Sequence, residues 1–280
     1  MKKVVFIAIA FIASLSMQAQ IQAPAPSPFS TVMQRVGLTD VTVEYSRPSM
    51  RGRTIFGNLV PFDKIWRTGA NARTKITFST DVTVGDGTLK AGSYAIFTKP
   101  TASSWDVYFY TETGGGGTPQ EWDESKVAAQ IKVNTMPVEM PIETFTITFD
   151  DMHSGGAVLG MMWENTYVGV PFMVPSKEMT MKSIDAVMAG PSANDYFSAA
   201  TFYYDEGMDL SKAKVWIDKA VSMNENAFWM TRAQSLIYAK MGDKKGAIEA
   251  AKRSLEVAKA ANNADYVKMN QDSLKEWGAM

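Results

Sequence analysis

Arginine is the residue type on which a chemical function of this sequence would depend. From Glu44 to Lys75 the chain carries seven basic and two acidic residues, a local charge of +5, whereas the whole chain has a net charge of −1. A guanidinium pairs with carboxylates and phosphates through two parallel hydrogen bonds, and a neighbouring tryptophan offers a flat face to a ring. The segment therefore predicts a site for an anionic or carbohydrate-type ligand, and the candidate residues are Arg47, Arg51, Arg53, Trp66, Arg67 and Asn71.

Three other interpretations of this segment stay open. The arginines could pair with acidic residues elsewhere in the fold, while the glycines between them serve turns. The segment could belong to a hydrolase of envelope material with a cleft around Arg67, Asn71 and Glu164, although acid catalysis would need a second carboxylate about 5–10 Å from the first. The protein could also have a purely structural role in the envelope. A non-enzymatic binding protein is the favoured prediction, and no catalytic residue is assigned.

The counts of histidine and cysteine exclude several classes of site. The chain has one histidine, His153, and no cysteine. Ser-His-Asp and Cys-His catalysis and multi-histidine zinc sites would all depend on that single residue, and thiol ligands are impossible. We therefore predict no metal and no cofactor. Since the net charge is close to zero, no overall positive field gathers phosphates, and nucleic acid is not expected as a partner.

The first residues are typical of an export signal. Lys2 and Lys3 precede an apolar run of about twelve residues, which ends in small and polar residues near Ala19. Such a run is shorter than the roughly 20 residues of a membrane-spanning helix. We predict a cleaved signal peptide over residues 1–19 and a proline-rich spacer over residues 20–29. The expected location is the periplasm or the exterior, with no membrane span after the signal is removed.

The residues that would position the arginines alternate between apolar and polar types. Val41, Val43 and Tyr45 alternate with polar neighbours, as do Phe145 and Ile147 farther along the chain. A period of two indicates strands with one buried face, and glycine-rich breaks between them indicate hairpin turns. No helical segment is long enough to connect parallel strands. Residues 30–175 are therefore predicted as an all-β antiparallel sandwich or barrel.

After residue 175 the period changes to that of a helix. The segment 213–220 is followed 34 residues later by a similar segment at 247–254, and Asp209 precedes Asp243 by the same interval. Thirty-four residues is the tetratricopeptide period. We predict a linker over residues 176–191 and an all-α domain of tetratricopeptide-like hairpins over residues 192–280, which would bind a protein partner. The expected helices are 194–206, 210–222, 227–240, 244–261 and a closing helix, 264–277.

Several motifs of the β region match those of a known family. They are Ser46-Arg-Pro-Ser, then Gly52-Arg53, Ile55-Phe56-Gly57 and Leu59-Val60-Pro61, then Trp66-Arg67-Thr68-Gly69-Ala70-Asn71, Leu89 to Thr98, Glu143 to Ile147, and Trp163-Glu164-Asn165-Thr166. On these motifs the chain resembles domain-of-unknown-function family 2911 over about residues 28–172. The resemblance implies an exported protein, in some members with a helical repeat tail, and it implies no established reaction.

Overall fold

The computed structural model of the protein describes residues 23–188 and 190–280. They divide after Ser176 into two compact units, each of which is described separately. The predicted signal, residues 1–19, lies outside the described residues. Among the described residues, no helix has both the length and the apolar character needed to cross a bilayer.

The first unit is built from nine antiparallel strands, which confirms the predicted fold class of this region. Their order in the sheet is β1-β2-β3-β6-β7-β8-β9-β4-β5. The strands are β1 (Phe29–Val36), β2 (Thr39–Ser46), β3 (Ala70–Phe78), β4 (Val82–Val84), β5 (Gly87–Leu89), β6 (Gly92–Pro100), β7 (Ser104–Tyr110), β8 (Val127–His153) and β9 (Gly156–Met173).

The long strand β8 takes part in both halves of the sheet. Its first part pairs with β7, and the part from Thr135 onward pairs with β9. The segment after β2 also contacts β8, because the amide of Phe145 donates to the carbonyl of Pro48 at 2.9 Å and the amide of Met50 donates to the carbonyl of Glu143 at 2.7 Å. The sheet therefore curls back on itself and encloses one main core.

The apolar side chains that alternate along the strands fill this core, as the sequence predicts for one face of the sheet. In β2, Val41, Val43 and Tyr45 are buried, and the ring of Tyr45 meets that of Phe145 edge-on at 5.8 Å. The sequence did not predict that the opposite face of β6 and β7 is buried as well. There the residues Ala95, Phe97, Tyr108 and Tyr110 form a second cluster, against which Trp122 packs.

The second unit consists of helices, which confirms the predicted all-α class. They are α1 (Ser176–Val187), α2 (Ala193–Asp205), α3 (Leu210–Met223), α4 (Phe228–Lys240), α5 (Lys244–Ala260) and α6 (Ala264–Glu276). The five expected helices are present, and none of their ends differs by more than one residue. The segment 176–191, predicted as a linker, contains helix α1, and its residue Ile184 is buried in the helical core. An apolar side chain that packs against the following helices explains why this segment is helical rather than extended.

Residues 34 positions apart have equivalent roles in the two central hairpins. Asp209 caps α3 by accepting from the amide of Ser211 at 2.8 Å, and Asp243 caps α5 by accepting from the amide of Gly246 at 2.9 Å. Ala213 and Ala247 are both fully buried. Small residues at these positions let neighbouring helices approach closely, so the repeat in the sequence corresponds to a repeat in packing.

Candidate functional site

The segment from Trp66 to Gly69 is fixed to the edge of β6. The amide of Trp66 donates to the carbonyl of Thr98 at 2.7 Å, and the amide of Thr98 donates back at 2.9 Å. The Thr68 hydroxyl lies 3.1 Å from the Thr98 hydroxyl. These bonds hold the backbone on both sides of Arg67, so the position of its side chain is set by a rigid part of the fold.

Two unusual backbone conformations occur in this segment. Thr68 has a φ of 56° and Gly69 a φ of 151°. A positive φ is a true outlier for a β-branched residue and costs about 1–3 kcal/mol, and such strain concentrates at functional sites. At Gly69 a Cβ would stand 2.9 Å from the Thr74 hydroxyl and 3.1 Å from the carbonyl of Ser46, so only glycine fits there. The observed strain marks this segment as a candidate site.

A cavity of about 340 Å³ opens beside this segment. Its lining includes three of the six predicted site residues, Arg53, Trp66 and Arg67, together with Trp163 from β9. Its volume is at the small end of the range of ligand pockets. The rest of the lining consists of small or apolar residues, namely Ser27, Pro48, Leu59, Val60, Gly69 and Ala70.

Arg67 is an arginine of this segment whose guanidinium has no hydrogen-bond or ion-pair partner among the described residues. Among the described residues its side chain makes neither a hydrogen bond nor an ion pair, and its Nε atom is buried. A buried donor without a partner costs about 1–3 kcal/mol. The two terminal nitrogens are not enclosed in this way. Arg67 therefore contributes an unpaired positive charge to the lining of the cavity, and its Nη1 atom lies close to Gly117, where a Cβ would stand 3.6 Å from it.

The other candidate arginines are bound to backbone carbonyls instead of acidic side chains. Arg53 donates to the carbonyls of Met50 at 2.9 Å and Ser49 at 2.7 Å. Arg47 donates to the carbonyl of Phe145 at 3.0 Å, which ties the end of β2 to β8. Since a carbonyl carries no net charge, these contacts hold the arginines in place without neutralising them.

Arg47, Arg51 and Asn71 do not line the cavity, so the structure does not unite all six candidates. The Arg51 guanidinium donates to the carbonyl of Pro26 at 2.8 Å, and the Asn71 amide donates to the carbonyl of Ser27 at 3.1 Å. The amide of Arg47 donates to the carbonyl of Pro28 at 2.9 Å. These residues fasten the described part of the proline-rich spacer to the sheet, because that segment offers free carbonyl acceptors.

The carboxylate of Glu164 supports a loop. It accepts hydrogen bonds from the amides of Ile55 at 3.2 Å and Phe56 at 3.3 Å. Neither Glu164 nor Asn71 is part of the cavity lining, and the lining residues within 23–188 and 190–280 include no acidic residue. The arrangement of Arg67, Asn71 and Glu164 around one cleft, expected for a hydrolase, is therefore not what this cavity presents.

Trp66 contributes to the cavity as part of an aromatic cluster. It stacks on Trp163 with ring centroids 5.8 Å apart and an interplanar angle of 19°. It also meets Phe145 at 5.2 Å and Trp105 at 6.1 Å, both edge-on. One face of the indole is thus occupied by another ring, so Trp66 is a wall of the cavity more than a free stacking platform.

The nearby cations that do form ion pairs lie farther along β3. Lys75 pairs with Glu44 at 2.6 Å, and Arg73 pairs with Glu112 at 3.0 Å. Lys126 and Arg73 both donate to the Glu112 carboxylate and hold its pKa below the usual range. Within the described part of the chain, no salt bridge includes Arg53 or Arg67. The positive charge at the cavity is therefore uncompensated by close carboxylates.

Trp163 and the apolar lining could not be selected from the sequence as site residues. Trp163 follows Leu159 and Met161 in an alternating strand, which is the pattern of an ordinary core residue. Its approach to Trp66 depends on the curl of the sheet, which brings β9 next to the loop before β3. The recurring glycines and prolines between residues 48 and 61 were the available signal that this loop is folded closely.

Comparison with known proteins places the β unit in a family and leaves its chemistry open. No curated protein matches the chain. The family described as "Protein of unknown function (DUF2911)" matches residues 27–172, which are 146 of the 280 residues. The match includes every residue of the cavity lining. The chain therefore belongs to the DUF2911 family.

Proposed function

We propose that the protein is an exported, non-enzymatic binding protein whose β unit holds an anionic or carbohydrate-type ligand in the cavity beside Arg67. The observation that carries this proposal is the unpartnered guanidinium of Arg67 in a cavity of about 340 Å³. A fold does not keep an unpaired charge with a buried donor for the sake of stability. A bound ligand that accepts hydrogen bonds from the Arg67 guanidinium would supply the missing partner.

The supporting geometry is that of a preformed site. Arg67 lies between residues fixed by hydrogen bonds to Thr98, and the strained Thr68 follows it directly. A backbone that is already fixed needs no ordering when a ligand binds, which favours affinity. The described lining residues include no acid, which agrees with binding, because none of their side chains competes with the ligand for the arginines.

A thermal-shift screen tests this function. The purified protein is heated with sugars, nucleotides and dicarboxylates, and the screen is repeated with Arg67→Met. We expect at least one class of compound to raise the melting temperature of the wild-type protein and to have no effect on the variant. Arg35→Met is the matched control, because Arg35 lies in β1 outside the cavity and its exposed side chain pairs with Asp40. A complete lack of ligand-induced shifts, or equal shifts in Arg67→Met, would contradict the proposal.

We propose further that the helical unit binds a protein partner. The repeated hairpins support this, since such arrays commonly present extended binding surfaces. Trp229 of α4 is 37% exposed and Val215 of α3 is 66% exposed, so apolar surface is available on the helices. Affinity capture from an envelope extract tests this proposal. The proteins captured by the wild-type full chain are compared with those captured by the Trp229→Ala variant. Capture of the same proteins in equal amount by both would argue against this surface.

Export to the periplasm or the exterior is proposed from the sequence of residues 1–19 alone. The apolar run after Lys2 and Lys3 and the absence of cysteine agree with a soluble exported chain that needs no disulfide. Mass spectrometry of the protein recovered from cell fractions tests this directly. We expect a mature chain that begins near Gln20, and a full-length chain confined to the cytoplasm would contradict it.

A further inference from the structure

We propose that the ligand of the cavity is a small monocarboxylate with an apolar body, such as an aryl or short alkyl acid, whose carboxylate pairs with Arg67. This inference rests on the proposed function and narrows it, since it chooses between an anion and a carbohydrate. It depends on three properties of the lining: its apolar walls, its few hydrogen-bonding groups and its single unused guanidinium.

The walls of the cavity are apolar. Pro48, Leu59, Val60 and Ala70 contribute aliphatic surface, and Trp66 and Trp163 contribute aromatic surface. Leu59 is 43% exposed although it is a large apolar side chain. Apolar surface left open beside a concave site commonly marks the place where an apolar group of a ligand is covered. The body of the ligand is therefore expected to be hydrocarbon.

The lining does not suit a sugar. In the part of the chain that the structure describes, its polar side chains are Ser27, Arg53 and Arg67, with no Asp, Asn, Glu or Gln. A sugar carries several hydroxyl groups, each of which donates and accepts hydrogen bonds in water. Hydroxyls enclosed without partners would cost free energy on binding. Since the two charged side chains of the lining, Arg53 and Arg67, can only donate, a ligand with acceptor atoms at one end fits better than one with donors on every side.

A single unused guanidinium matches one carboxylate. Arg67 can present two parallel N–H groups to a planar carboxylate, and its own side chain makes no competing bond among the described residues. Arg53 already donates from two nitrogens to backbone carbonyls. A dianion such as phosphate or sulfate would lose more hydration in apolar surroundings than one free guanidinium replaces. A monoanion is therefore favoured.

Isothermal titration calorimetry of the full chain tests this class of ligand. The probes are phenylacetate, its neutral analogue phenylacetamide, the acidic sugar glucuronate, and sulfate. We expect phenylacetate to bind best and phenylacetamide at least about tenfold more weakly, because the loss of one charge-assisted pair corresponds to about that change in Kd. Arg67→Met should weaken phenylacetate binding by a similar factor, and Arg35→Met should leave it unchanged.

A second variant guards against misfolding of Arg67→Met. Leu59→Glu changes a side chain that is 43% exposed and places a carboxylate in the lining, and Leu38→Glu is its control because Leu38 is 50% exposed and lies outside the cavity. Leu59→Glu should weaken phenylacetate binding at least about tenfold by like-charge repulsion, with a smaller effect on phenylacetamide. Leu38→Glu should change neither. Equal affinity of Leu59→Glu and wild type for phenylacetate would overturn the proposal.

The outcomes separate this inference from the proposed function. If glucuronate or sulfate binds more tightly than phenylacetate and depends on Arg67, the inference is wrong and the cavity remains a binding site of another class. If no probe binds, the inference is wrong, and the thermal-shift screen decides whether the cavity binds another ligand. If Arg67→Met binds phenylacetate as wild type does, both the inference and the proposed site are wrong. Binding of phenylacetate that is lost in Arg67→Met and retained in the two controls supports both.

Discussion

Replacing Arg67 by methionine should stabilise the protein, whereas the same replacement at Arg73 should destabilise it. The Nε atom of Arg67 is buried without a partner, a state that costs about 1–3 kcal/mol. Methionine keeps an unbranched apolar chain and removes the donor and the charge. The substitution also loses some packing contacts. We therefore expect the free energy of unfolding to rise by about 1 kcal/mol, which corresponds to about 2–4 °C in Tm for a unit of this size.

Arg73 is the comparison residue, because its guanidinium is buried and forms an ion pair and hydrogen bonds. Its side chain is 6% exposed and pairs with Glu112 at 3.0 Å, and it donates to the carbonyls of Glu112 at 2.8 Å and Gly117 at 3.3 Å. It also lies over the ring of Phe97 at 5.5 Å. Loss of several bonds to a buried charge, each worth about 1.5–3 kcal/mol, should destabilise Arg73→Met by at least about 3 kcal/mol.

Urea unfolding measures both changes. Tryptophan fluorescence reports on the β unit through its four tryptophans, Trp66, Trp105, Trp122 and Trp163, and also on the helical unit through Trp216, Trp229 and Trp277. Circular dichroism at 222 nm follows the helices, so the two signals together separate the units. The midpoint for Arg67→Met should rise and that for Arg73→Met should fall, with unchanged slopes. A loss of more than about 1 kcal/mol in Arg67→Met would show that Arg67 supports the fold and is not held ready for a ligand.

Three further predictions concern single contacts. Tyr45→Phe should cost about 1–3 kcal/mol, since the Tyr45 hydroxyl accepts from the buried amide of Ile147 at 2.9 Å; urea unfolding measures it, and no change would refute the role of this bond. Asp243→Ala should cost about 1 kcal/mol through loss of the cap on α5, and an unaltered helical melting curve would contradict that. Hydrogen bonds from Lys126 and Arg73 lower the pKa of Glu112, so its stabilising effect is present at neutral pH and is lost as the pH falls and the carboxyl protonates. Glu112→Gln should thus be less stable than wild type at pH 7, a difference that should shrink toward pH 3, and a constant difference in Tm across this range would refute the assignment.

The elements were predictable from the sequence where one local pattern determines them. Alternation in β2 and in the middle of β8 predicted strands with a buried face, and the 34-residue repeat predicted the helical hairpins. The helix α1 was not predicted, because a short amphipathic segment after a proline does not differ clearly from a linker. Its formation depends on packing of Ile184 in the helical core, which is a tertiary effect.

The candidate site was predictable as a segment and not as a set of contacts. The local excess of arginine pointed to the region that contains the cavity, and Arg53, Trp66 and Arg67 do lie there. Which arginine remains unpaired could not be read from the sequence. Arg47 is bound by Phe145 and Thr146, and Arg51 by Pro26. Those bonds arise between residues far apart in the chain, after the sheet has curled.

A crystal structure of the protein grown with saturating phenylacetate tests the central claim most directly. We predict density for the ligand in the cavity, with its carboxylate oxygens about 3 Å from the Arg67 guanidinium and its ring against Leu59 and Trp66. An empty cavity, or phenylacetate bound elsewhere while the Arg67 side chain remains unpaired, would contradict the claim that this arginine is held for a ligand.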